Sequence, residues 1–209
     1  MSDPLLLCLL PSERVDLVSA VVSAGGTPVI DLCSSPRIEV PDGAWVRVRD
    51  RRAVPGTGPV ILVGGGAVPI RNRETWLEVI EPGAAPEGFA GILLRGDEAG
   101  GPSGLGPGLS LVQRVPQGSR VLLDAGVLPQ DMATLRSAGV DGVVLFEVLM
   151  GLPEYRLPRN LSDRLAQSGA ESAHVVNGFR FQSSALAPVL RRLLSGASFW
   201  EQAEDWLSA

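Results

Sequence analysis

Two adjacent acids, Asp97 and Glu98, lie in the glycine-rich stretch Gly91-Ile-Leu-Leu-Arg-Gly-Asp-Glu-Ala-Gly-Gly-Pro-Ser-Gly104. Paired carboxylates are suited to general acid–base work, because one charge raises the pKa of its neighbour. Neighbours in a loop need not face each other, however, and the competing reading is a solvated or helix-capping pair. His174 is the single histidine of the chain. It could act as a base, but between Ala173 and Val175 its ordinary reading is structural. Arg47, Arg49, Arg51 and Arg52 offer guanidinium groups to an acidic partner. The alternation of Trp45, Arg47 and Arg49 places them on one strand face, where charge also guards an exposed sheet edge. The run Val-Gly-Gly-Gly-Ala-Val-Pro at residues 63–69 lacks the GxGxxG spacing and a following helix, so it reads as a turn rather than a phosphate loop.

Composition removes several chemistries. All 18 basic residues are arginine, so there is no Schiff-base lysine, no Walker lysine and no kinase strand lysine. With a single histidine, a His-rich metal site or an HExxH helix cannot be built, and no metal site is expected. Cys8 and Cys33 are too few for a disulfide framework and read as reduced thiols. A net charge of -5 argues against a general nucleic-acid binder.

These residues must be positioned by strands. Short Val-, Ile- and Leu-rich runs give eight expected strands at residues 5–10, 28–32, 44–49, 60–63, 75–80, 89–95, 119–124 and 142–145. Ser12 can cap a helix with Leu17, Val18, Val21 and Val22 on one face, stopped at Gly25. Residues 129–138 predict a second helix, with proline in its first turn and Gly139 just past its end. Between the third and sixth strands the spacers are short, rich in proline and glycine, and without helical period. A complete (β/α)8 barrel takes about 250 residues, so 209 residues predict a trimmed or degenerate TIM-like barrel over residues 1–150. Residues 151–209 read as a mainly helical tail (160–167, 183–194 and 199–207) packing on that barrel as one structural unit. In the tail, Phe199, Trp200, Ala203, Trp206 and Leu207 form an apolar stripe beside Glu201, Glu204 and Asp205.

On this scheme the glycine-rich loop follows the sixth strand, at the rim where barrel enzymes hold their chemistry. The loop and the following Leu-Ser-Leu-Val-Gln-Arg-Val resemble the strand-six region of the nitronate monooxygenase and FMN-dependent enoyl-reductase family. There an EAGG loop precedes a helix ending in a Gln-Arg-like pair. Residues 120–145, "RVLLDAGVLPQDMATLRSAGVDGVVL", resemble the family's phosphate-holding region. "AGGTPVIDL" and "AESAHVVNGFRF" are similar to the variant associated with polyketide and fatty-acid-type synthases. The resemblance implies FMN chemistry, with Gly100, Gly101 and Gly126 as the glycines that would approach the cofactor.

Three departures weigh against that chemistry. Where the family pattern carries a histidine after EAGG, this chain has Pro102, which has no donor and no titratable group. Asp124 and Glu147 stand where a phosphate would have to sit. The front strand, "LLLCLLPSER", lacks the small-residue loop that lets backbone approach a flavin. The resulting expectation is a non-catalytic barrel without a cofactor, serving assembly, docking or gating of a synthase, with a synthase component or an acyl carrier protein as partner. The alternative is an FMN-dependent oxidoreductase whose catalytic residues have moved. No apolar run reaches about 18 residues and the start lacks a basic signal region, so a cytoplasmic protein is expected.

Overall fold

The computed structural model describes residues 5–33, 38–49, 54–64, 66–99, 101–126, 131–146, 149, 152–155, 159, 163, 173–176 and 179–182. Eight parallel strands close into a barrel. They are β1 (Leu5–Pro11), β2 (Thr27–Asp31), β3 (Trp45–Val48), β4 (Val60–Val63), β5 (Thr75–Val79), β6 (Gly91–Arg95), β8 (Val121–Asp124) and β9 (Gly142–Leu145). A two-residue strand, β7 (Gly101–Pro102), lies outside the barrel. The ring closes where β9 pairs with β1, Val143 opposite Leu6 and Leu145 opposite Cys8. All eight expected strands are present, with ends displaced by at most two residues.

Alternation along each strand divides the core in two. Leu7, Leu9, Val29, Trp45, Ile61, Trp76, Leu93, Leu122 and Val144 point inward and pack as one cluster. Trp45 and Trp76 meet across the lumen with ring centroids 6.0 Å apart. Gly91 makes room for this packing: a Cβ there would overlap the Trp76 ring and the Arg120 carbonyl. Residues of opposite parity, such as Ile92, Leu94, Val121 and Leu123, face outward into a second cluster with Leu111 and Leu135.

Three short helices are described: α1 (Val18–Ser23), α2 (Gly108–Val112) and α3 (Met132–Ser137). The expected first helix begins as a 3-10 stretch over Ser12–Leu17, broken by non-helical backbone at Arg14. Arg14 instead reaches the Tyr155 and Glu154 carbonyls and stacks over the Tyr155 ring. Among the described residues no helix lies between β3 and β6, and the architecture is a trimmed (β/α)8 barrel.

The C-terminal part departs from the expected helical pattern. β10 (Ala173–Val176) and β11 (Phe179–Gln182) form an antiparallel hairpin. β11 pairs in turn with β7, Phe179 opposite Pro102 and Arg180 opposite Gly101. The reason is local: Asn177-Gly178 stands between Val176 and Phe179, the dipeptide best suited to a two-residue hairpin turn. Arg159 and Asp163 are helical, within or beside the expected helix at 160–167. The expected helices at 183–194 and 199–207 lie outside the described residues. Among the described residues no helix is long and apolar enough to cross a membrane.

Candidate functional site: the C-terminal rim of the barrel

Two residues beyond five inward apolar positions, each strand presents a charge to the same inner face. Val29 is followed by Asp31, Trp45 by Arg47, Trp76 by Glu78, Leu93 by Arg95, and Leu122 by Asp124. These residues end or nearly end their strands, so the charges form a layer at the C-terminal mouth, above the apolar lumen. Arg47, Glu78, Arg95 and Asp124 are buried, at 8%, 7%, 5% and 4% exposure.

The layer is a ladder of alternating sign. Arg47 Nη1 donates to Asp31 Oδ2 at 2.9 Å, and Arg47 forks onto Glu78, Nε to Oε2 at 2.6 Å and Nη2 to Oε1 at 2.8 Å. Arg95 Nη1 donates to Glu78 Oε1 at 3.0 Å, and Arg95 Nη2 lies 3.3 Å from Asp124 Oδ2. Burial alone would raise the pKa of Glu78. The hydrogen bonds from Arg47 and the charges of Arg47 and Arg95 outweigh it and hold the carboxyl below its ordinary range. Next to the ladder, burial pushes the Cys33 thiol up to about 12, although the Arg47 charge opposes it.

Above the ladder, the loop after β6 folds back on the start of α2. Glu98 Oε2 accepts a hydrogen bond from the Gly108 amide at 3.0 Å. The surrounding glycines make this possible. A Cβ at Gly96 would overlap the Glu98 carboxylate and lie 2.7 Å from the Gly108 nitrogen, and one at Gly108 would overlap the Ala125 side chain. Burial raises the Glu98 pKa, the backbone hydrogen bonds at Glu98 and Gly108 oppose the rise, and the Asp97 carboxylate adds to it. Glu98 thus caps the start of α2, as the capping reading of the pair has it. Gly126, in left-handed backbone at φ 59°, lies against this group: a Cβ added there would stand 3.4 Å from the Glu98 Cβ.

Two sequence expectations need correction. Arg47 is not on an exposed edge offered to a partner: β3 lies between β2 and β4 in a closed ring, and Arg47 points into it. The alternation that puts Trp45 and Arg47 on one face was legible, but in a closed barrel that face is the lumen. Asp124 does not stand bare at a phosphate position; it turns inward and pairs with Arg95. Arg49 is exposed beyond the end of β3. His174 lies in β10, at the register position opposite Phe181 and one strand removed from β11's pairing with β7. Gly101 is in β7. Gly100, Arg51, Arg52 and Glu147 lie outside the described residues. Among the described residues no group of three or more His, Cys, Asp or Glu side chains could hold a metal ion.

No family model matches the sequence, and no curated protein matches it. Solved structures do resemble the backbone. FabK from Thermotoga maritima matches with a TM-score of 0.71 at 16% identity, covering 96% of this chain and 78% of that one. A mutant of the same protein matches with a TM-score of 0.58 at 13% identity, over 87% and 65% of the two chains. Thiamine phosphate pyrophosphorylase from Pyrococcus furiosus matches with a TM-score of 0.51 at 15% identity, over 78% and 95%. The likeness is one of fold. At such identities one barrel scaffold carries many functions, and function has to be argued from the rim.

Proposed function

We propose that this chain is a non-catalytic barrel of the enoyl-reductase and nitronate monooxygenase type that its strand-six motif resembles, serving assembly, docking or gating in a polyketide or fatty-acid-type synthase. The observation carrying this reading is the ladder from Asp31 to Asp124, in which five charged groups at the mouth bind one another. A site built for chemistry directs its charges at a substrate; here they are directed at the protein itself.

The described rim residues do not fit FMN. The two arginines and three carboxylates of the ladder sum to one net negative charge, and the Glu98 carboxylate holds the Gly108 amide while the Glu98 Cβ and backbone oxygen face Gly126. A phosphate brought to the start of α2 would meet the Glu98 carboxylate rather than an open Gly108 amide. Pro102, where the family pattern has histidine, belongs to a strand pair with Phe179. The partner in this reading is an acidic acyl carrier protein or another synthase component, met through the exposed Arg49 and the adjoining Arg51 and Arg52.

One observation favours the second reading, an FMN-dependent oxidoreductase with relocated residues. Glu98 is a half-buried rim carboxyl with a raised pKa beside Asp97, a usual property of a general acid. The visible spectrum of the purified protein separates the two, because flavin absorbance belongs to the cofactor itself. A colourless protein that binds an acyl carrier protein, with binding lost in Arg49→Glu, is the expected result. Stoichiometric flavin absorbance contradicts the proposal.

A further inference from the structure

On the outside of the barrel, where β9 meets β1, lies an apolar cavity of about 420 Å³. Leu6, Cys8 and Leu10 of β1, Val21 of α1, Leu145 of β9 and the ring of Tyr155 are among its walls. Among the described residues Glu154 is its one charged lining residue. Leu152, also in its wall, is 47% exposed. The position is specific in the fold. A (β/α)8 barrel is ringed by helices, and right-handed connection carries the chain that follows the last strand against the seam between the last strand and the first.

We propose that this seam cavity is filled by the chain's own C-terminal stripe, Phe199, Trp200, Ala203, Trp206 and Leu207. Three observations select this occupant. The chain continues from Leu145 to Ala209, so it supplies the covering segment that follows the last strand. At about 100° per residue, the five stripe residues fall within an arc of about 120°, with Glu201, Glu204 and Asp205 on the opposite side. The described cavity walls are apolar with one acid, so they accept that arc while the three acids stay in water. The inference is independent of the functional reading above.

The test uses Cys8 as a reporter from inside the cavity, in a full-length Cys33→Ser background. The intact chain is expected to resist a thiol reagent at Cys8, and Phe199→Glu with Trp206→Glu should accelerate labelling at least about tenfold with the circular dichroism retained. An equal rate in both proteins, or an intact Cys8 that reacts as an open thiol, overturns the proposal. Protection that disappears on dilution together with a sedimenting dimer assigns the cavity to a second copy. Protection lost on extracting a small apolar molecule assigns it to a ligand. Either result also overturns the proposal. Should the double variant not fold, acrylamide quenching of the unaltered chain still decides. Trp45 and Trp76 are buried at 7% and 0% exposure, so exposed emission can come only from Trp200 and Trp206. Shielding of all four tryptophans is expected, and freely quenched emission from the tail contradicts the proposal.

Discussion

Glu78 accepts hydrogen bonds from both arginines of the ladder and so joins its two halves. Removing its charge leaves Arg47 and Arg95 buried and underpaired, which in comparable buried pairs costs about 3–5 kcal/mol. Urea unfolding of Glu78→Gln should show a loss of that size, and a loss below about 1 kcal/mol would mean that solvent already screens the ladder. The pH dependence follows from the sign of the shift. Glu78 has a lowered folded pKa, so its contribution is full above the ordinary glutamate value of about 4.3 and is lost as the pH falls through the folded value. The acid limb of the stability curve should therefore flatten in Glu78→Gln. Glu98 runs the other way: its pKa is raised, so its ionisation in the fold is resisted and its contribution declines as the pH rises through the glutamate range. Its cap on Gly108 gives a separate expectation. Glu98→Ala should cost about 1 kcal/mol, as lost helix caps do, and should speed hydrogen exchange at the Gly108 amide. Unchanged exchange there would remove the capping role.

At the scale of elements, the loop after β6 is held on two sides, by Glu98 on α2 and by β11 on β7. Pro102→His restores the residue type of the family pattern, but it changes neither the ladder nor the Glu98 cap. With FMN added, nitronate oxidation and enoyl reduction should stay at background, since catalysis needs base and cofactor positioned together. Turnover in this single variant would show that the rim accepts the cofactor. Much of this scale was legible in sequence. Each barrel strand is a short run of Val, Ile and Leu bounded by turn residues, and the lack of a helix among the described residues between β3 and β6 follows from spacers without helical period. The hairpin carried its signal in Asn177-Gly178 between β-forming residues, outweighed by the helical pattern around it. The ladder also left a trace, a charge two residues beyond an inward apolar residue on five strands. Which charges pair depends on ring closure, which brings β2, β3, β5, β6 and β8 to a common mouth; strand periodicity alone does not specify those partners.

For the whole molecule, the trimmed helices and the ion-pair ladder concern the same strands. Among the described residues no helix lies between β3 and β6, and the ladder ties three strands of that region, β3, β5 and β6, to β2 and β8. On the proposed reading, charges engaged with one another in this way would oppose a cofactor phosphate at the mouth. Titrating the full-length protein into FMN and following flavin fluorescence measures this opposition most directly. The ladder and the Glu98 cap predict no saturable quenching at micromolar protein. Saturable quenching with a submicromolar Kd, lost on excess FMN, would contradict the non-catalytic reading.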